Sequence, residues 1–232
     1  MADFVLVHGA WHGAWCWKRI LAPIWQAGHR AFAPTLTGVG ERAHLMSADI
    51  RLRTHADDVA AVLEAEELQR AILVGHSYAG LVITAVADRL PQRIGRLVYL
   101  DAVVPRSGES WSSSHSEDTR ASRRRMIADT GAIAPADPAL FGLAGEDAAW
   151  VQRHNTPQPG RVYDDPLQFD EARLDALPRS FIDCTAPALP TIAESRRRVR
   201  ADSRWQVLEI PTGHDPMISA PQALLKHLLS FA

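Results

Sequence analysis

Six consecutive residues, Gly75-His76-Ser77-Tyr78-Ala79-Gly80, have the composition and setting of a nucleophile turn. An apolar run, Ala71-Ile72-Leu73-Val74, precedes them, and a helix-compatible run over residues 81–87 follows. A serine at such a strand–turn–helix junction is lifted off the sheet end with its hydroxyl exposed. Small residues suit a turn that brings strand and helix backbones close together. Ala79 stands where the pattern G-x-S-x-G has glycine, and Gly80 follows at once. A serine hydroxyl is a weak nucleophile near neutral pH. It needs a base, a group that orients the base, and N–H donors for the oxyanion. His214, in Pro211-Thr212-Gly213-His214-Asp215-Pro216, is the candidate base because it follows the last strand-like run, and open α/β sheets carry their sites at strand carboxyl ends. The candidate oxyanion donors are the backbone N–H groups of Tyr78 and of Ala10, the latter in His8-Gly9-Ala10-Trp11-His12-Gly13. Neither a third ligand nor an HExxH pattern accompanies His8 and His12, so neither a metal nor any other cofactor is expected.

These groups need a frame that gathers distant parts of the chain. Short β-branched runs over residues 4–8, 31–33, 71–75, 96–101, 180–184 and 206–210 alternate with helical patterns over 15–27, 54–67, 78–89, 191–200 and 221–231. Such alternation predicts βαβ units, an α/β fold and a mainly parallel sheet of about six strands flanked by helices. In the second helix Ala56, Val59, Ala60, Leu63 and Glu67 fall near helical spacing, with Thr54 and Asp57 resembling a capping box. Residues 103–178 break the rhythm. They are rich in Pro, Ser, Asp and Arg, yet scattered Trp111, Phe141, Trp150 and Phe169 favour a small folded cap over a disordered linker. The expected organisation is a core of residues 1–102 and 179–232 with an inserted cap of 103–178.

Composition narrows the partners. A formal net charge of −2 gives no footing for a nucleic-acid partner. The apolar runs are short or interrupted, so no membrane-spanning helix is expected. The chain enters a strand directly, without a basic stretch and apolar core, so no signal peptide is expected. Cys16 and Cys184 lack metal spacing and read as reduced packing residues of a cytoplasmic protein. Trp17 and Trp25 have the helical spacing of core residues, and Arg123-Arg124-Arg125 reads as a solvated face. A homodimer is left open.

The run from Phe4 to Trp15, FVLVHGAWHGAW, resembles the N-terminal signature of the methylesterase and hydroxynitrile-lyase branch of the α/β-hydrolase superfamily. Gly75–Gly80, Asp183-Cys184-Thr185 and Gly213-His214 sit where that branch has its motifs. The resemblance therefore implies the α/β-hydrolase fold. Hydroxynitrile lyases of the branch have threonine at the position of Gly9 and lysine at that of Asp215, so the esterase reading gains on the lyase one. The branch carries its catalytic acid where this chain has Pro187. Another arrangement, found in haloalkane dehalogenases, puts the acid at the end of the strand after the nucleophile helix. Leu97-Val98-Tyr99-Leu100-Asp101 is similar to that strand end. Asp101 is thereby the candidate acid, with Asp183, Asp215 and Glu194 as alternatives. The order Ser77, Asp101, His214 also fits the superfamily.

The expectation is a serine hydrolase of small-molecule carboxylic or carbamic esters, with amides as a further class, working through an acyl-enzyme. A lyase and a non-catalytic ligand receptor on the same scaffold are the alternatives. Gly9, Trp11 and Trp111 are the candidate pocket residues, because an apolar and partly aromatic wall suits a small neutral ester.

Overall fold

The computed structural model describes all 232 residues. Six strands form one parallel sheet: β1 (Asp3–Val7), β2 (Arg30–Phe32), β3 (Ala71–His76), β4 (Ile94–Leu100), β7 (Arg179–Cys184) and β8 (Trp205–Ile210), in spatial order β2-β1-β3-β4-β7-β8. A separate two-stranded ribbon pairs β5 (Ala132–Ile133) with β6 (Gln158–Pro159) antiparallel. The helices are α1 (Lys18–Gln26), α2 (Leu52–Ala65), α3 (Ala79–Arg89), α4 (Glu117–Thr130), α5 (Gly145–His154), α6 (Glu171–Asp175), α7 (Ala193–Arg200), α8 (Pro216–Ser219) and α9 (Pro221–Leu229).

Alternation along the strands explains why the sheet is buried on both faces, as parallel sheets must be. Val5, Val7, Leu73, Leu97, Tyr99 and Phe181 face one core, which α2, α3 and α7 cover through Val59, Leu63, Val82, Val86 and Val199. Phe4, Leu6, Ile72, Val74, Val98, Leu100 and Ile182 face the other, covered by Ile20 and Ile24 of α1 with Met217, Ile218, Leu224 and Leu228 of α8 and α9. The strand order reverses between β1 and β3, and open sheets place their sites beyond the carboxyl ends of strands at such a reversal. Val7 pairs with Gly75, His76 with Leu100, and Leu100 with Ile182, so these carboxyl ends lie side by side.

The six expected strands are all present within two residues at each end. Several local expectations need correction. Helix α2 starts at Leu52, a turn's fraction earlier than expected, so Thr54 is inside it. Its hydroxyl accepts the Arg51 N–H at 3.2 Å, while Asp165 caps the helix by accepting the Leu52 N–H at 2.9 Å. Glu67 lies beyond the helix end, exposed and at φ 52°. Trp25 is no core residue: it is 53% exposed, whereas Trp17 is fully buried. Between β4 and β7 the chain folds into α4, β5, α5, β6 and α6, none joining the main sheet.

Candidate active site

Ser77 follows β3 at φ 56°, a left-handed conformation that a side-chain-bearing residue adopts only where its surroundings impose it. The imposition is visible. Ser77 N–H donates to Leu100 O at 3.2 Å, and Ser77 O accepts the N–H groups of Gly80 and Val103 at 3.1 and 3.0 Å. The turn also depends on two missing side chains. A Cβ on Gly75 would lie 2.7 Å from Ala79 O, and one on Gly80 would lie 2.0 Å from Val103 O. Ala79 faces no such obstacle and is buried in the core cluster, so the departure from G-x-S-x-G is sterically harmless.

His214 stands in the loop after β8. Its Nε2 is 2.8 Å from Ser77 Oγ and its Nδ1 is 2.6 Å from Asp101 Oδ2. Asp101 ends β4 at φ 41°, completely buried, with its N–H on Ile182 O at 2.7 Å. The structure thus brings Ser77, His214 and Asp101 into one hydrogen-bonded line. Asp101 is the carboxylate on His214, and the three alternatives are engaged elsewhere. Asp183 pairs with Arg196 and Arg200, Asp215 sits 3.5 to 3.7 Å from His76 and His12, and Glu194 pairs with Arg197 and Arg198. Asp215 is held well down, to about 2. Burial opposes its charge, but His12 and His76 beside it outweigh that cost.

The loop after β1 lies against the serine. A Cβ on Gly9 would be 2.9 Å from Ser77 Cβ and 2.7 Å from His76 Nδ1, so only glycine fits. His8 Nδ1–H donates to Gly9 O at 2.8 Å, and its Nε2 accepts the Leu36 N–H at 3.0 Å. Both ring nitrogens are therefore used, which fixes one neutral tautomer; burial pushes His8 down to about 3. Because the peptide is planar and trans, pinning Gly9 O directs the Ala10 N–H to the opposite side. Neither the Ala10 N–H nor the Tyr78 N–H donates to an acceptor within the protein.

Trp11, at φ 66°, is buried and anchored: its Nε1 donates to Ile133 O at 3.0 Å and its N–H to Gln158 Oε1 at 3.0 Å. Phe141 stacks on Trp11 with centroids 6.1 Å apart and also lies 5.4 Å from the His214 ring. Trp111, likewise buried, lies 5.8 Å from Trp11 and 5.2 Å from Tyr78. These rings join residues 103–178 to the loop and turn that hold Ala10 and Ser77. Two sizeable clefts lie elsewhere: about 640 Å³ beside Arg19 and Asp147, and about 520 Å³ beside Arg198 and Trp205. Neither is lined by Ser77 or His214. The hydrogen-bonded line of side chains, not cleft size, locates the site.

Sequence reasoning missed five contributors. His76 Nε2–H donates to His214 O at 2.8 Å, and Phe141 O accepts the His214 N–H at 2.9 Å. Gly213 permits that approach, since a Cβ there would lie 2.2 Å from Phe141 O. Arg196 contacts Asp101 from behind. Arg123 corrects the reading of the triple arginine: Arg124 and Arg125 face solvent, but Arg123 turns inward. Its guanidinium packs over Trp11, Trp111 and Tyr163 at 4.8 to 5.4 Å. Only the i, i+4 spacing of Arg196 and Arg200, which puts both on one face of α7, could have hinted at one of these from sequence.

A model of the alpha/beta hydrolase family matches residues 4–227. The chain belongs to this family. Among the relatives of this α/β hydrolase, the carbendazim hydrolyzing esterase of Nocardioides sp. (strain SG-4G) is 38% identical over 238 residues, covering 98% of each chain. The probable esterase PIR7A of Oryza sativa is 30% identical, over 99% of this chain and 96% of that one. An extracellular alpha/beta-hydrolase from a Paenibacillus species superposes with a TM-score of 0.87 at 21% identity, over 99% and 98% of the two chains, which speaks to the fold alone.

Proposed function

We propose that this α/β hydrolase is a serine hydrolase of small-molecule carboxylic or carbamic esters, with Ser77, His214 and Asp101 as its catalytic triad. The observation that carries the reading is the unbroken line from Ser77 Oγ through His214 to Asp101, at 2.8 and 2.6 Å. Ser77 Oγ attacks the ester carbonyl carbon while its proton passes to His214 Nε2. The tetrahedral oxyanion is met by the Ala10 and Tyr78 N–H groups. Collapse expels the alcohol, which takes the proton from Nε2 and leaves an acyl-enzyme. Water then repeats the sequence and frees the acid and Ser77. Asp101 holds the tautomer that makes Nε2 the acceptor and stabilises the imidazolium.

The esterase relatives support this choice of bond. A hydroxynitrile-lyase activity is disfavoured because Gly9 supplies no hydroxyl and Asp215 puts an anion where a cation would hold departing cyanide. Residues 103–178 act as the cap, carrying Phe141 and Trp111 to the site, and Gly9, Trp11 and Trp111 border the acyl group. No helix is long and apolar enough to cross a membrane. A cytoplasmic site of action fits Cys16 and Cys184, both free and buried. A fluorophosphonate probe should add one mass adduct at Ser77 and abolish ester hydrolysis, and Ser77→Ala should lose both. An unlabelled wild-type enzyme would overturn the reading.

A further inference from the structure

The two oxygens of Asp101 have different partners. Oδ2 takes the His214 Nδ1–H, whereas Oδ1 accepts from Arg196 Nη2 at 2.6 Å. Every nitrogen of that guanidinium is used: Nη2 also donates to Cys184 O at 3.1 Å, Nη1 donates to Leu189 O at 2.6 Å, and Nε donates to Asp183. Arg200, one turn further along α7, donates to Asp183 Oδ2 at 2.6 Å and reaches Glu209. An alternating series of charges, Asp101, Arg196, Asp183, Arg200 and Glu209, therefore runs from behind His214 to the protein surface. Asp101 and Asp183 are buried, and Arg196 is only 13% exposed.

A fully buried carboxylate without a counter-charge is costly. In the resting enzyme His214 must be neutral to act as a base, so it cannot neutralise Asp101. Arg196 is the cation in contact that can. Its fork also leaves one carboxylate oxygen, Oδ2, free to face the imidazole. We propose that Arg196 is the positioning residue of the catalytic acid: it fixes the orientation of Asp101 and moderates the pull of that carboxylate on the His214 imidazolium. Asp183 has a matching part. The end of β7 supplies the carboxylate that anchors Arg196. Arg196 itself stays charged, since burial disfavours its cation but Asp101 and Asp183 more than offset that.

This inference rests on the serine-hydrolase reading, and the two fail separately. If wild-type enzyme does not hydrolyse p-nitrophenyl acetate in a Ser77-dependent way, the reading itself is wrong. If it does, Arg196→Gln should lower kcat by roughly 10- to 100-fold with little change in KM, the loss typical when an outer partner of a functional group is removed. The acid limb of its kcat/KM profile should also move to higher pH, because an unmoderated Asp101 favours the imidazolium. The other charged or titratable groups around the pair are unchanged in this variant: His76 of β3 and Asp215 beside His214, His12 behind them, and Cys184 of β7 beside Asp101. Arg196→Lys keeps the charge and should keep the limb in place. Arg200→Gln breaks the same Asp183 network without touching Asp101 and should leave kcat near wild type. An unmoved limb in Arg196→Gln, or an equal kcat loss in Arg200→Gln, would reduce Arg196 to a structural ion pair and overturn the proposal. Should Arg196→Gln not fold, the downfield proton of the Asp101–His214 hydrogen bond decides. Arg196→Lys should displace that resonance and Arg200→Lys should not, and an undisplaced resonance refutes the assignment.

Discussion

Asp101 shows how much one side chain depends on its neighbours. It is the carboxylate within reach of His214, and a second partner, Arg196, also holds it. Asp101→Asn should therefore lower kcat by roughly 10⁴-fold, the loss known for a triad aspartate turned into an amide that favours the wrong tautomer. The fold should survive, since Arg196 keeps Asp183 and two main-chain carbonyls. Far-UV circular dichroism beside stopped assays checks both parts; normal turnover in this variant would return the role to another carboxylate. Gly9 allows a second test. Its hydrogen faces Ser77 Cβ and His76 Nδ1 at contact distance. Installing the threonine that hydroxynitrile lyases carry there cannot simply add a hydroxyl. Gly9→Thr must displace Ser77 or the ring that holds His214 O, so ester hydrolysis should fall at least tenfold with no cyanide released from mandelonitrile. Appearance of lyase activity would show that the loop gives way instead.

At the scale of elements, the sheet was legible because its signals are local. Val5, Val7, Leu73 and Val74 sit in short β-branched runs, and the turn at Ser77 is a strand–turn–helix junction by composition alone. Ala10, Tyr78 and His214 could be placed for the same reason, each directly after a strand. What was not legible depends on contacts between separate segments of the chain. Phe141 seats on His214 because Gly213 lets two backbones meet, and Arg123 turns inward because three aromatic rings from different segments surround it. No periodicity encodes either. Trp25 misled because helical spacing says which face a residue occupies, not whether anything covers that face. The role of Gly80 also emerged only in three dimensions: it admits the chain returning after β4 rather than the strand before the turn. Gly80→Ala should accordingly cost about 3 kcal/mol or more, the upper range for an overpacked core site, since a carbonyl oxygen cannot yield as a side chain can. Ala79→Gly should cost only about 1 kcal/mol, the propensity difference within a helix. Urea midpoints of the two variants check the contrast, and equal losses would mean the elbow tightens against α3 alone.

For the molecule as a whole, neutral imidazoles brace the region around Ser77. His8 holds the Gly9 carbonyl, His76 holds the His214 carbonyl, His55 bonds the Tyr78 hydroxyl at 3.0 Å, and His115 bonds Tyr163 in the inserted segment at 2.9 Å. Burial lowers all four: His8 and His115 to about 3, His55 to about 4, and His76 well below the ordinary range. A histidine whose folded value lies below its unfolded one binds its proton more readily in the unfolded chain. Each such group is therefore neutral in its effect above about 6.5 and destabilises the fold progressively as pH falls toward its folded value. The slope is at most about 1.4 kcal/mol per pH unit for each group. Four of them together can exhaust a typical stability of about 5–15 kcal/mol within a few units. His12 acts oppositely. Asp215 raises it despite burial, so that pair stabilises below 6.5 and weakens only as pH rises through the folded His12 value. Below 6.5 the contribution of that pair is constant, so the four lowered histidines leave a net loss on acidification. The urea midpoint should rise slightly from pH 8 to 6.5, as His12 takes up its proton, and then fall steeply toward pH 4.5. His55→Gln, which keeps a polar contact but cannot titrate, should flatten that fall by about one proton's worth, roughly 1.4 kcal/mol per unit. A midpoint independent of pH over this range would mean that the buried rings do not stay neutral in the folded protein.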